Sequence, residues 1–322
     1  MKAIQVRQIG GPEVLTLADI PAPTPKAGEA LVKVHASGIN FIDVYYREGR
    51  YKTELPFIDG QEGAGIVEAV GAGVNEFKPG DAVVWCHVLG SYAEYQAVPS
   101  AMLVHVPHNL DLKLAAAVML QGMTAHYLAH STFVLKSGDT ALVHAAAGGV
   151  GLLLTQMAAQ AGARVIATVS TEEKAKLARE AGAAEVILYT QSDFEAETKR
   201  LTGGRGVDVV YDSVGKTTFE KSLNTLRPRG MMVLYGGSSG AVPPFDLIEL
   251  STKGSLFVTR PTLKHYTLTR EELLARAGEV LAAVDAGRLK VRMKHTYPLS
   301  EARQAHLDLE GRKTTGKLLL IP

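Results

Sequence analysis

The sequence predicts an α/β protein in which a doubly wound parallel sheet follows a strand-rich domain, and three observations carry that prediction. From about Met123 onward, short apolar runs alternate with amphipathic helical stretches, as expected of parallel strands buried on both faces and their crossover helices. Upstream, glycine and proline break the chain into short β-branched runs. Between the two, "HAAAGGVG" (His144–Gly151) sets glycines where a strand should hand over to a helix.

The elements follow in order. "KAIQVRQI" and "EALVKVHASG" read as strands separated by Pro21, Pro23 and Pro25, and "GAGIVEAVGAGV" and "GDAVVW" continue the pattern. The stretch to about Leu120 holds a single predicted helix, over Phe41–Gly49, where charged residues interleave with apolar ones. The alternating region opens with strand "TALVHA", a helix over Val150–Ala161, strand "RVIATV" and helix "EEKAKLAREAG". Strand "EVILY", helix "FEAETKRLTG", strand "VDVVYDS", helix "TTFEKSLNTL" and strand "GMMVLYG" complete it. The last stretch, with helices "REELLARAGEVLAAVDAG" and "SEARQAHLDLEG" and strand "KLLLI", is too short for a domain and is expected to return to the first one. The segments are therefore 1–122, 123–262 and 263–322.

Ala141–Val169 is apolar enough to suggest a membrane span. An unbroken helix there would carry Gly148, Gly149 and Gly151, each costing about 1 kcal/mol relative to alanine, and would take Gln156 and Gln160 into hydrocarbon. A buried strand, a glycine turn and a packed helix explain the same residues without that cost, so no membrane partner is expected. The chain is 46% hydrophobic and 21% charged with a net charge of +1, which gives no reason to expect a nucleic-acid partner. A lone cysteine, Cys86, rules out an internal disulfide and a cysteine-based metal framework. "MKAIQVRQIGGPEVL" lacks the apolar core of a signal peptide, and the expectation is a cytoplasmic protein.

The glycine turn matches the dinucleotide fingerprint G-x-G-x-x-G over Ala146–Gly151, with Ala146 in place of the first glycine. Gly148 permits close approach of a pyrophosphate and Gly151 permits close strand–helix packing, while the helix start supplies free N–H groups. An NAD site would end the second strand with a carboxylate for the ribose 2′-hydroxyl. Here that position reads Thr168-Val169-Ser170-Thr171, with Ser170, Lys174 and Tyr189 suited to a 2′-phosphate, so the expected cofactor is NADPH. Glu172 and Glu173 are read as favourable charge in the first turn of the next helix.

A strand-rich domain, a nucleotide domain and a short return resemble the medium-chain dehydrogenase/reductase superfamily. Its zinc alcohol dehydrogenases place cysteine in "G-[IV]-C-x-x-D" and histidine in "G-H-E"; this chain has "GINFID" and "GQEG", with Asn40 and Gln61 at those positions. The third ligand position falls near Leu120, and no zinc is expected. His126 and His130 lie four apart on a predicted helix, but Tyr127 replaces the glutamate of H-E-x-x-H, and both are read as packing or surface residues.

The motifs "GGPEVL", "GINFIDVYYREGRY", "HAAAGGVG", "VVYDSVG", "GGSSGAV", "GSLFVTRP" and "LLLIP" together resemble the zinc-free NADPH:quinone oxidoreductases, the zeta-crystallin group. The resemblance implies a Rossmann domain joined to a GroES-like catalytic domain, with nicotinamide at the base of a cleft. It implies cofactor contacts at Gly149, Val150, Ser170, Lys174, Tyr189, Ser213, Tyr235, Gly236, Ser238, Thr124 and Arg312. It further implies a substrate wall of Asn40, Asp43, Tyr45 and Tyr51, and an edge strand "SLFV" that pairs across a homodimer. Tyr46 departs from the aliphatic residue common there. Plainer roles stay open: Asn40 and Asp43 suit capping of the helix at Phe41, Tyr45 and Tyr51 suit core aromatics, and Tyr235 suits a strand end. The expected reaction is transfer of reducing equivalents from nicotinamide to a quinone, with alkenal or enone reduction as the alternative. A non-catalytic NADPH-binding or RNA-binding protein is the reading from another class.

Overall fold

The structure is a computed structural model that describes residues 1–322. It divides into two compact units, Met1–Met123 with Thr267–Pro322, and Thr124–Tyr266.

The first unit begins with β1 (Lys2–Val6), β2 (Thr16–Asp19), β3 (Glu29–Ile39), α1 (Phe41–Arg47), β4 (Phe57–Ile58) and β5 (Glu62–Val70). β6 (Ala82–Cys86), β7 (Tyr95–Pro99), β8 (Val104–His105) and α2 (Leu112–Tyr127) follow, the last four residues of α2 belonging to the second unit. β3 is the hub, pairing antiparallel with both β5 and β7. The helix of Phe41–Gly49 is present as α1. α2 is a second helix in a stretch that reads as strands and turns. Its residues Ala115–Met119 are all fully buried, so the helix is apolar on every side and shows no amphipathic stripe in sequence. It ends in a π turn, Leu128–Thr132, which brings the His126 and His130 rings to 4.7 Å.

The second unit contains β9 (Thr140–Val143), α3 (Gly149–Gln160), β10 (Arg164–Val169), α4 (Glu172–Glu180), β11 (Glu185–Leu188) and α5 (Phe194–Leu201). β12 (Val207–Asp212), α6 (Phe219–Thr225), β13 (Leu226–Leu234), α7 (Ile248–Thr252) and β14 (Phe257–Thr259) complete it. The sheet order is β11-β10-β9-β12-β13-β14 and every pair is parallel. The strand order therefore reverses beside β9, and ligands bind such sheets outside the carboxyl ends of the strands at that switch. β9, β10 and β12 are buried almost throughout because helices cover both faces, which is why they read as unbroken apolar runs.

The chain then returns to the first unit through α8 (Arg270–Asp285), β15 (His295–Pro298), α9 (Ala302–Glu310) and β16 (Leu318–Ile321). β16 pairs antiparallel with β3, Leu319 opposite Gly38, and extends the seven-stranded sheet. α9 packs with β1 and the end of β3 in a core of Ile4, Val6, Ile39, Tyr92, Ala302 and Ala305. No helix is long and apolar enough to cross a membrane.

Candidate active site

The glycine turn leaves β9 through His144, whose buried ring is fixed by Thr168 Oγ1 (2.8 Å) and Ser222 Oγ (2.9 Å). Burial pushes its pKa below the usual histidine range, so the imidazole is a neutral strut. α3 starts at Gly148 with no side-chain cap, and the N–H groups of its first turn, from Gly149, Val150 and Gly151, point at the space before the helix. A Cβ on Gly151 would lie 2.4 Å from Ala145 O and 2.7 Å from Ala146 Cα, so only glycine lets the helix seat this close to the turn. At Gly148 a Cβ would approach only Ala145 O, at 3.2 Å.

At the carboxyl end of β10, Ser170 follows buried Val169 without an acidic residue at the strand terminus. The next strand sets Tyr189 beside it: Tyr189 N–H donates to Val169 O (3.1 Å) and Thr190 Oγ1 to Ser170 O (2.9 Å). Thr171 caps α4 by accepting from the Lys174 N–H (3.3 Å), which places Lys174 in the first turn, half-buried. Glu172 and Glu173 are exposed in that same turn, and Glu172 reaches Arg179 at 3.7 Å. Ser170, Lys174 and Tyr189 thus stand at one end of the sheet.

A third group gathers after β12. Asp212 is buried and accepts from the N–H groups of Val214 (2.6 Å) and Gly215 (3.0 Å) and from Thr218 Oγ1 (2.6 Å). This clamps the loop holding Ser213 against the loop after β13, where Tyr235 N–H donates to Asp212 O and Ser238 N–H to Ser213 O. A Cβ on Gly236 would lie 2.5 Å from Ser213 O, so the close approach of the two loops requires glycine. Burial pushes the Tyr235 phenol upward, against a hydrogen bond with Ser213. Thr124 is buried on α2, and Arg312 is exposed in the first unit, past α9, in a left-handed conformation.

In the first unit Asn40 sits at the end of β3 with its side-chain amide satisfied on every side. Nδ2 donates to Gly38 O (3.2 Å) and Glu62 Oε2 (2.8 Å); Oδ1 accepts from Gln121 Nε2 (3.1 Å) and Lys317 Nζ (2.8 Å). Lys317 also pairs with Glu62, whose other oxygen accepts from the Leu120 N–H (2.6 Å). Gly38 exists to admit this pair, since a Cβ there would lie 2.7 Å from Lys317 Cε. The Gln121 Oε1 is buried without a partner.

Asp43 is fully buried and caps α1, accepting from the Asn40 N–H (2.7 Å) and from Tyr92 OH (2.8 Å) on the same oxygen. Expected in the substrate wall, Asp43 is here a carboxylate with no accessible surface that serves the helix start and the core. Tyr45 is nearly buried, whereas Tyr51 is 41% exposed and packs edge-on against it at 5.8 Å. Tyr46, the departure from the expected aliphatic residue, packs on the α9 core and meets the Tyr51 ring at 5.5 Å.

The three positions that correspond to zinc ligands do not suit zinc. Asn40 and Gln61 offer neutral amides, Leu120 contributes only its backbone N–H, and the adjacent Glu62 carboxylate is already neutralised by Lys317. Sequence reasoning missed Glu62, Lys317, Gln121, Tyr92 and His306. The one available signal was Lys317, a charge heading the otherwise apolar strand "KLLLI".

The chain is similar to known proteins over its whole length. Residues 26–108 match the family model "Alcohol dehydrogenase GroES-like domain" and residues 149–277 match "Zinc-binding dehydrogenase". The chain is 46% identical to a quinone oxidoreductase of Pseudomonas aeruginosa, covering 100% of this chain and 99% of that protein. It is 43% identical to a 2-haloacrylate reductase of a Burkholderia species, over 99% and 98% of the two chains. The crystal structure of Escherichia coli quinone oxidoreductase complexed with NADPH superposes with a TM-score of 0.98 at 44% identity, covering 100% of both chains.

Proposed function

The chain belongs to the quinone oxidoreductase family of the medium-chain dehydrogenase/reductase superfamily, and on that premise we propose that it is an NADPH-dependent quinone reductase. NADPH, when bound, supplies the reducing equivalents that pass from its nicotinamide ring to the quinone. The observation that carries the cofactor choice is the end of β10, where Ser170 and Lys174 replace a carboxylate and Glu172 and Glu173 turn to solvent. The uncapped start of α3 holds the pyrophosphate on the N–H groups of Gly149 and Val150, with Gly148 leaving room for it. Ser213, Tyr235, Gly236, Ser238, Thr124 and Arg312 complete the proposed cofactor contacts.

Quinone carbonyls are already electron-poor, so the protein's task is orientation rather than Lewis-acid activation. Asn40 has no spare donor, and the Tyr51 hydroxyl, on an exposed ring braced by Tyr45 and Tyr46, is the group that meets the developing hydroquinone oxygen. A second reading, reduction of a conjugated enone or acrylate, is favoured by the 43% identity to a 2-haloacrylate reductase. We also propose a homodimer through β14, an edge strand with Phe257 exposed that pairs only with β13. Sedimentation of a monomer at working concentration would remove it.

The deciding experiment follows NADPH oxidation with 1,4-benzoquinone and with a simple enone, NADH in parallel. Faster turnover of the quinone with NADPH supports the proposal. Preference for the enone selects the second reading, and NADH used equally well sinks the cofactor assignment.

A further inference from the structure

The Asp43 cap is the last link of a buried hydrogen-bond chain whose direction follows from donor chemistry alone. Arg47 Nη1 lies 2.9 Å from His306 Nδ1, and a guanidinium only donates, so Nδ1 must accept. The ring proton therefore sits on Nε2, which faces the Tyr92 oxygen at 3.1 Å and donates to it. The single hydroxyl proton of Tyr92 is then committed to Asp43 Oδ2 at 2.8 Å, beside the Asn40 N–H at 2.7 Å. At the far end Arg47 is held by Glu310 through two bonds, at 2.7 and 3.1 Å. The direction is the same whether Asp43 is ionised or carries a proton on Oδ1, the oxygen with no partner.

We propose that Tyr92 and His306 are positioning residues, which hold Asp43, and through it the Asn40 backbone at the start of α1, in one orientation for the reaction. The proposal rests on the reading of Asn40, Tyr45 and Tyr51 as the quinone side of the site. Arg47, Asp43, Tyr92 and His306 have no accessible surface. A polar chain this deep adds no stability that well-packed apolar residues would not match; what it contributes is a single arrangement. It ties α1 to α9, elements from opposite ends of the sequence. Desolvation and the adjacent Arg47 charge hold the His306 pKa down to about 3, so the imidazole keeps this tautomer through the neutral range.

The test uses the full-length protein and two independent readouts. Tyr92→Phe removes only the hydroxyl. It should raise KM or lower kcat for the quinone by about tenfold or more while leaving KM for NADPH unchanged, and should speed hydrogen exchange at the Asn40 amide by a similar factor. As single variants, His306→Gln, which keeps one acceptor and one donor, should show little of that loss, whereas His306→Leu should show most of it. Nitrogen-15 spectra should show His306 with Nδ1 unprotonated between pH 5 and 8. A Tyr92→Phe variant that melts earlier yet keeps wild-type kcat/KM and Asn40 exchange overturns the proposal, as does a proton on Nδ1. If the wild type reduces no quinone, the functional reading fails by itself, and exchange and tautomer still decide the positioning role.

Discussion

Lys317 and Glu62 form an ion pair from which water is excluded, their side chains 1% and 0% exposed. Burying one charge without the other costs far more than the intact pair contributes, so Lys317→Met should destabilise the protein by about 3–5 kcal/mol. Adding Glu62→Gln should restore much of the loss, because it removes the stranded charge. Urea denaturation of the two variants measures this, and a double variant no more stable than the single one contradicts it.

Gly151→Ala places a methyl group against Ala145 O and the Ala146 backbone. The helix must shift from the turn, at a cost of about 1–3 kcal/mol in stability. Moving the first-turn N–H groups also weakens NADPH binding. Isothermal titration of NADPH should show a loss of about tenfold or more. Gly148→Ala should cost little stability, its nearest protein atom being 3.2 Å away, yet weaken NADPH as well because its methyl group takes the room left for the pyrophosphate.

Ser170→Asp installs at the end of β10 the carboxylate that a ribose 2′-hydroxyl accepts and a 2′-phosphate repels. KM for NADPH should rise about tenfold or more while KM for NADH falls. Steady-state kinetics with both cofactors reads this directly, and an unchanged ratio would place the 2′-phosphate elsewhere.

Asp43 and His306, joined through Tyr92, titrate with opposite effects on stability. Desolvation, with the Arg47 charge, lowers His306 to about 3, so between that value and about 6.5 the unfolded chain holds the extra proton and stability falls as pH falls. Desolvation raises Asp43 to about 7, so between about 4 and 7 the folded chain holds the extra proton and stability rises as pH falls. Each contributes a slope approaching about 1.4 kcal/mol per pH unit, and in the wild type the two offset. His306→Gln should therefore gain stability relative to the wild type on acidification from pH 6.5 to 4.5, and Asp43→Asn should lose it. Parallel curves in chemical denaturation across that range would refute this pairing.

The sheet was legible because its strands are buried on both faces: "RVIATV" coincides with β10, and the glycines locate the start of α3 to within a residue. α2 was not, since a helix buried on all sides carries no 3.6-residue stripe. In the candidate site, Asn40 could be named because "GINFID" is local. The partners that fix it could not, because Lys317 is 277 positions away and Tyr92 and His306 are 214 apart. His306 lies within "SEARQAHLDLEG", a stretch that reads as an ordinary amphipathic helix, and its burial depends on Arg47 arriving from the other end of the chain.

The order of synthesis gives the return of β16 a further meaning. The inserted unit, residues 124–266, leaves the ribosome whole, while its host still lacks α9 and β16. Until Lys317 and β16 emerge, Glu62 has no counter-ion and the edge of β3 that pairs with β16 stays open. The nucleotide-binding unit can therefore mature first, and Lys317 closes the host only after the whole inserted unit has been made.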